Sequence, residues 1–439
     1  MASKSSKQIT ADTAEKYADD HGIEFFFLVY TDILGVLRGK LVPKSAITMT
    51  AKEGGHFCRV MFRLSAMDPD MIIIPDWQTF IQLPWKPEIG WVICDLYSPA
   101  GVPFRECPRL ALKNQIERLK TLENHKNLVL KSGIEFELYL INRDATAIAD
   151  KLDERPGIDS CFRADALMRN ARYFTRVCQI ADDLGWEPYQ VDHEGSSGQF
   201  EFNFKYIDAL TMADRHVFFK YMCRSIAEEE GMRVTFMPKP FADKLGSGCH
   251  VHVSLWEGDK NVFLDTSGEL GLSGLGYQFL AGVLANAKAL CAILCPTVNS
   301  YKRLVAAGWC PNRISYTGDN RSHMLRIPNP GRFEVRLADM AVNPYLIQAG
   351  VIAAGIDGVT RKLEPGERCD GDGGKGEPAG AEVLPLNLLD AVRELKKNRE
   401  LREAIGVDCM DAFVMFKENE WVDYMRHLSE WEKIHTIDC

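Results

Sequence analysis

Residues 131–140 read KSGIEFELYL, and the alternation within them decides the fold. Successive side chains on a strand point to opposite faces, so Ile134, Phe136, Leu138 and Leu140 share one face while Glu135, Glu137 and Tyr139 share the other. Two residues along a strand span roughly 7 Å, and two carboxylates that close repel each other unless cations compensate. Three further segments repeat the pattern. In GQFEFNF (198–204), Phe200, Phe202 and Phe204 alternate with Gln199, Glu201 and Asn203, and Glu194 lies just upstream in DHEGSSG. In GSGCHVHVSLW (246–256), Val251, Val253 and Leu255 alternate with His250, His252 and Ser254 after a glycine-rich approach. In GRFEVRL (331–337), Phe333, Val335 and Leu337 alternate with Arg332, Glu334 and Arg336.

If the four strands share one sheet, a single face carries Glu135, Glu137, Glu194, Glu201, Glu334 and His250. Five carboxylates with one imidazole suit hard or borderline ions, Mg²⁺ or Mn²⁺, rather than thiolate-bound zinc. The alternative for any one segment is an amphipathic strand with a solvated charged face. Such a face mixes lysine, serine and threonine with its acids, whereas these acids and histidines come without lysines beside them. Between the third and fourth segments lie Lys302, Arg303, Arg313, Arg321, Arg326, Arg332 and Arg336, among glycines, prolines and asparagines. Guanidinium forks match carboxylate and phosphate oxygens, so metal-binding acids followed by an arginine-rich loop suit phosphoryl transfer to an anionic substrate. The alternative is a basic surface loop.

Outward from these segments, residues 24–43 read as two strands around a turn at Gly35, followed by apolar runs at 71–76 and 91–97. This is a small, mostly β unit of residues 1–105. From Arg109 an amphipathic helix opens a larger unit, residues 106–439, with helical patterns near 163–184, 209–230, 272–295, 343–362 and 386–405. Strands mixed with long helices argue for an α+β or α/β core, and the expected class is α+β. Glu367–Gly380 reads as an exposed loop; its Gly-Lys pair lacks the spacing of a phosphate loop. The net charge of −9 over 439 residues argues against nonspecific nucleic-acid binding and for a small-molecule partner. The polar N-terminus lacks a signal-peptide core, and no apolar run of about 18 residues reaches membrane-spanning length. Thirteen cysteines without CxxC pairs fit reduced thiols, and the expected location is the cytoplasm.

At these residues the sequence resembles the glutamine synthetase superfamily, over essentially the whole chain. The matching strings are EFE at 135–137, DHE with GQFE within 192–201, FMPKPF before GSGCHVHVS at 236–254, NSYKRL at 299–304, NRSHMLRIP at 320–328, and RFEVR with NPYL within 332–346. They resemble most the bacterial group of type III enzymes and γ-glutamylmethylamide synthetases. The resemblance implies a β-grasp-like N-terminal domain before a catalytic domain whose curved antiparallel sheet, flanked by helices, forms a funnel open at both ends. It implies an ATP-dependent ligase that makes γ-glutamyl phosphate from L-glutamate and condenses it with ammonia or a primary amine. It also implies a large homo-oligomer of stacked rings. By the same resemblance, Glu137, Glu194 and Glu201 hold the metal near glutamate, and Glu135, His250 and Glu334 the metal at the nucleotide phosphates. His252, Ser254 and Arg326 fall at the nucleotide, Arg321 at the transferring phosphoryl group, and Gly246, Arg303 and Arg336 at glutamate. No tyrosine occurs between Tyr345 and Tyr424, which argues against the adenylylation known in bacterial relatives.

Three positions depart from the family's pattern, and all concern the amine. Gly54–Phe62 lacks the aspartate of the family's ammonium pocket. Trp309 stands where the flap carries a glutamate, and Phe162 where a tyrosine lines the pocket. Fewer acids and more aromatic surface favour an alkylamine over a bare ammonium ion. Three alternatives stay open: drift that still accepts ammonia, a catalytically silent structural paralogue, and the same ligase chemistry on an acid other than glutamate.

Overall fold

A computed structural model describes residues 9–63, 67–122, 125–155, 160–305, 309–375 and 380–439. The N-terminal part holds β1 (Phe25–Thr31), β2 (Leu37–Pro43), β3 (Gly55–Phe57), β4 (Met71–Pro75), β5 (Ile81–Gln82) and β6 (Ile89–Tyr97) in one six-stranded sheet of order β2-β1-β6-β4-β3, with β5 also on β6. β1 and β2 form the expected hairpin. Asp32 closes its turn: Oδ1 accepts from the backbones of Leu34 and Val36, and Oδ2 from Arg38 Nε at 2.9 Å. Gly35 takes φ +82°, which L side chains rarely adopt. A Cβ there would also lie 3.1 Å from the Asn343 backbone.

The larger part holds β7 (Leu128–Ile141), β8 (Pro188–His193), β9 (Gln199–Phe204), β10 (Ile207–Asp208), β11 (Arg233–Thr235), β12 (Val251–Glu257), β13 (Lys260–Asn261), β14 (Tyr316–Thr317), β15 (Leu325–Arg326) and β16 (Phe333–Val335). They build one ten-stranded sheet whose main path runs β14-β15-β16-β12-β7-β9-β8; every pairing is antiparallel except β14 with β15. The four alternating segments thus share one sheet, as the expected α+β class requires. Its apolar face packs on the helix Ala209–Glu229: the Phe136 and Phe219 rings are 4.4 Å apart, and Phe202 and Phe204 each meet Phe219 edge-on at 5.5 Å.

Three of the expected helical patterns are each two helices, and every break falls at an asparagine. Ala164–Arg169 and Ala171–Asp183 meet at Asn170, Gly274–Ala285 and Ala287–Leu294 at Asn286, and Leu388–Lys397 and Arg399–Ile405 at Asn398. Asn170 and Asn286 donate to the carbonyls of Ala166 and Gly282, four residues back, and Asn398 Oδ1 caps Leu401 N. A short amide side chain competes in this way with the helix ladder. The patterns at 209–230 and 343–362 are single helices, Ala209–Glu229 and Pro344–Arg361. Val407–Arg426 and Glu430–Thr436 are helices that the periodicity reading omitted. The loop at 367–380 lies beside residues 316–323, with Gly371 O accepting from Asn320 and His323 and Gly373 N donating to Ser322 Oγ; residues 376–379 lie outside the described residues.

Arg109, in the first turn of the helix Pro108–Lys120, joins the two parts. Its guanidinium donates to Asp95 Oδ1 at 2.6 Å and Asp76 Oδ2 at 2.8 Å on one side, and to both Asp214 oxygens at 3.0 and 2.8 Å on the other. Among the described residues no disulfide forms, and no single helix is long and apolar enough to cross a membrane. One pair bent by 75°, Gly274–Ala285 with Ala287–Leu294, has the length and composition, but most of its residues are buried inside the protein.

Candidate active site

The register of the sheet brings the polar residues together. Across β7 and β9, Glu135 pairs with Asn203, Glu137 with Glu201 and Tyr139 with Gln199, while Phe136 and Leu138 pair with Phe202 and Phe200 on the core face. On the other edge of β7, Glu135 N donates to the His250 carbonyl at 3.1 Å, and His252 stands opposite Gly133. His252 in turn pairs with Glu334 on β16, and Glu334 with Arg326 on β15. One row of functional side chains therefore crosses five strands.

Side-chain contacts close the row. His250 Nδ1 lies 2.7 Å from Glu135 Oε2 and 3.5 Å from Glu334 Oε1, and His252 Nε2 lies 2.8 Å from Glu135 Oε1. Glu334 receives Arg326 Nη1 at 2.9 Å and Arg336 Nη1 at 2.5 Å. Glu137 Oε2 accepts from Gly248 N at 2.8 Å and Gln199 Nε2 at 3.0 Å, and Glu201 Oε1 from Asn203 at 2.8 Å. Two glycines make room. A Cβ on Gly246 would sit 2.6 Å from Arg303 Cγ and 2.7 Å from the Pro238 carbonyl; one on Gly248 would sit 2.6 Å from His250 Nε2 and 2.8 Å from Glu137 Oε1. Arg303 is held by its own donations to the Leu337 and Arg336 carbonyls, at 2.8 and 3.2 Å.

Charge on this face is unevenly balanced. Burial alone would raise the Glu135 carboxyl, but hydrogen bonds with His250 and His252 hold it well below the usual carboxylate range. Burial likewise pushes Glu334 up, and Arg336 followed by His252 brings it below its ordinary value. Burial first, then the charge of Glu137, pushes Glu194 up to about 8. Glu201 stands well above its ordinary value through burial and then the charges of Glu135, Glu194 and Glu137. Two acids thus retain protons until a cation arrives. Glu135, His252 and Glu334 offer ligand atoms within 4.8 Å of one another, as do Glu135, Glu201 and His250. His252 Nδ1 is buried without a hydrogen-bond partner among the described residues. Carboxylates and imidazole in this proportion fit divalent Mg²⁺ or Mn²⁺.

Two cavities meet this face. The larger, about 770 Å³, is lined by Glu135, His252, Ser254, Tyr189, Trp256 and Arg332 among others. The smaller, about 360 Å³, is lined by Glu137, Glu194, His250, Gly246, Arg303 and Arg336, together with Ser160, Cys161, Trp309 and Cys310. Arg326 is buried between Glu334 and Asp319, whose Oδ1 lies 3.0 Å from its Nε. Arg321 is exposed, its carbonyl accepting from Arg336 Nε at 2.9 Å. Arg313 turns away, donating to the Ala381 carbonyl. Trp309 is 65% exposed at the smaller cavity, whereas Phe162 is 71% exposed and is not among that cavity's lining residues.

Residues 105–435 match the family described as glutamine synthetase, catalytic domain. The chain belongs to the glutamine synthetase family. It is 44% identical to a glutamine synthetase of Rhizobium meliloti (strain 1021), over 96% of this chain and 98% of the relative. It is 36% identical to a glutamate–methylamine ligase of Methyloversatilis universalis, over 95% and 97%. A solved structure described as apo GmaS without ligand superposes with a TM-score of 0.92 at 47% identity, covering 97% of this chain and 99% of that one.

Within this glutamine synthetase fold the structure adds residues that the sequence reading passed over. Gly248 is legible in hindsight from the GSG run before His250. Gln199 and Asn203, on the polar face of their strand, orient Glu137 and Glu201. His252, expected at the nucleotide, also bonds Glu135. Cys161 and Cys310 carry no signal in spacing, because loops far apart in sequence bring them to the cavity.

Proposed function

We propose that this chain is an ATP-dependent ligase that phosphorylates the γ-carboxylate of L-glutamate and passes the γ-glutamyl group to ammonia or a short primary amine such as methylamine. The observation that carries this is the position of the acid and histidine face between two cavities. Nucleotide enters the larger, where Trp256 and Tyr189 offer aromatic surface and Ser254 and Arg332 polar contacts. Glutamate occupies the smaller, where Arg303 and Arg336 face its carboxylates beside Gly246. Glu135, His250 and Glu334 would hold one divalent ion, and Glu137, Glu194 and Glu201 a second. Mg²⁺ or Mn²⁺ bound there neutralises charge on phosphoryl oxygens.

The chain's own groups do the rest. Arg326 and Arg336 fix Glu334, and Gln199 with the Gly248 amide fixes Glu137, so the site is organised before substrates arrive. The glutamate γ-oxygen attacks the γ-phosphorus and ADP leaves, with Arg321 offsetting charge on the moving group. The amine then attacks the γ-carbonyl and phosphate departs with the attacking oxygen. Glu194 faces the amine and takes its proton.

For the amine, Trp309, Cys161 and Cys310 give the smaller cavity apolar surface beside Glu194, which supports methylamine over ammonia. The native site geometry disfavours the silent-paralogue alternative. We take residues 1–105 as the β-grasp-like domain and 106–439 as the catalytic domain. The assembly is a large homo-oligomer; Met425, Leu428, Trp431, Ile434 and Ile437 are apolar and exposed on or beside the C-terminal helices, surface that such an assembly would cover. Steady-state phosphate release across ammonia and a series of primary amines tests the reading. Turnover that needs ATP, Mg²⁺, glutamate and amine together is expected. ATP hydrolysis indifferent to glutamate would overturn it.

A further inference from the structure

Behind the amine end of the smaller cavity lies a buried polar cluster that the chemistry above does not use. His193, the residue before Glu194, is fully buried, as is Asp153. His193 Nε2 lies 2.8 Å from Asp153 Oδ2, and its Nδ1 meets the Ser160 carbonyl in a short contact. A backbone carbonyl only accepts, so Nδ1 is the donor to Ser160. Asp153 also accepts from Gly198 N at 2.6 Å and Arg163 Nη1 at 3.1 Å. The His193 main chain makes the complementary bond, its carbonyl accepting from Phe162 N at 2.9 Å.

One residue therefore grips the segment 160–162 at both ends, by side chain at Ser160 and by main chain at Phe162. Between those grips sits Cys161, which with Ser160 lines the cavity that also holds Glu194. Phe162 has φ +58°, a left-handed conformation that costs about 1 kcal/mol or more for a non-glycine residue and persists only where surrounding contacts impose it. Its backbone bond to His193 is such a contact. Because Glu194 follows His193 directly, the carboxylate facing the amine and the wall opposing it are set from the same stretch of backbone.

We propose that His193 is a positioning residue which, through Ser160 and Cys161, sets the width of the amine pocket and so selects the amine; this rests on the ligase reading above. His193 touches no substrate. Its loss releases the wall while leaving the acid face, Arg303 and Arg336 in place.

The test uses the full-length enzyme with His193→Phe, which fills the space but removes both ring bonds, and His193→Gln, which keeps one. Kinetics are measured with ammonia, methylamine, ethylamine and propylamine, together with KM for glutamate and ATP. His193→Phe is expected to raise KM for the best amine by about ten-fold and to flatten the preference among amines. KM for glutamate and ATP stays within about two-fold, and His193→Gln recovers part of the preference. Amide exchange over 160–162 speeds up in His193→Phe and not elsewhere. Should His193→Phe fail to fold, Asp153→Asn takes its place, with a smaller shift in the same direction. An unchanged amine preference, unchanged exchange at 160–162, or amine and glutamate KM rising together would each overturn the proposal. A native enzyme that releases no phosphate with any amine overturns the ligase reading itself and this proposal with it, whereas a native preference that His193→Phe leaves intact overturns this proposal alone.

Discussion

Glu137 and Glu201 stand directly opposite each other on neighbouring antiparallel strands, and both side chains are buried. Like charges in that position destabilise a sheet. The pair is stable only when a proton or a cation intervenes, and the site's response to pH and metal follows from this.

The metal-free protein loses stability as pH rises. Glu194 titrates near 4.5 when unfolded and at about 8 in the fold, so between those values the folded state binds more protons. The stabilisation is complete below 4.5 and is lost as pH climbs to about 8. Mn²⁺ or Mg²⁺ must displace those protons, so the metal-induced gain in Tm is larger at pH 8 than at pH 6, and binding at pH 7 releases protons from both Glu194 and Glu201. Titration calorimetry in buffers of different ionisation enthalpy reads the release. A gain in Tm that ignores pH would contradict the account.

Glu137→Gln and Glu201→Gln separate folding from chemistry. Each keeps the side-chain shape while removing one member of a repelling pair, so metal-free stability is held or raised by about 1 kcal/mol. Phosphate release falls by at least about 10²-fold. Thermal melts and turnover on the same preparations decide it, and native turnover in either variant would remove these residues from the metal site.

Trp309→Glu reshapes the amine end. Covering one methyl group is worth about 1 kcal/mol, a few-fold in rate, so the native enzyme has a higher kcat/KM for methylamine than for ammonia and the variant narrows the gap. The comparison is made at one pH, corrected for the free-base fraction of each amine. A native enzyme that clearly prefers ammonia would refute the apolar-pocket argument.

Arg109→Met tests the joint between the two sheets. It leaves Asp214 without its cation and Asp76 and Asp95 with Lys113 alone, and breaking a buried pair in this way costs about 3 kcal/mol. Urea unfolding of native and variant protein measures it. A loss under about 1 kcal/mol would show the network to behave as a surface pair.

The acid face was legible because a strand's period of two sorts side chains by itself: Glu135 and Glu137 cannot share a face with Phe136. Alternation does not say which strands are neighbours, so the meeting of His252 with Glu334 came from the order and register of the sheet. Helix boundaries were less so, since the apolar spacing runs on through Asn170, Asn286 and Asn398 while only local hydrogen bonding stops the helix. The amine wall was least legible. Cys161 reaches the cavity through the contacts of Ser160 and Phe162 with His193, far along the chain, and Phe162, which the sequence placed in the pocket, has its ring largely in solvent.

The central claim is that the γ-carboxylate of glutamate takes the phosphoryl group before the amine arrives. Glutamate labelled with ¹⁸O in its γ-carboxylate, incubated with the enzyme, ATP, Mg²⁺ and methylamine, tests it through the phosphorus resonance of the released phosphate. One labelled oxygen per phosphate is predicted, in step with amide formed. Amide formation with unlabelled phosphate would contradict the account.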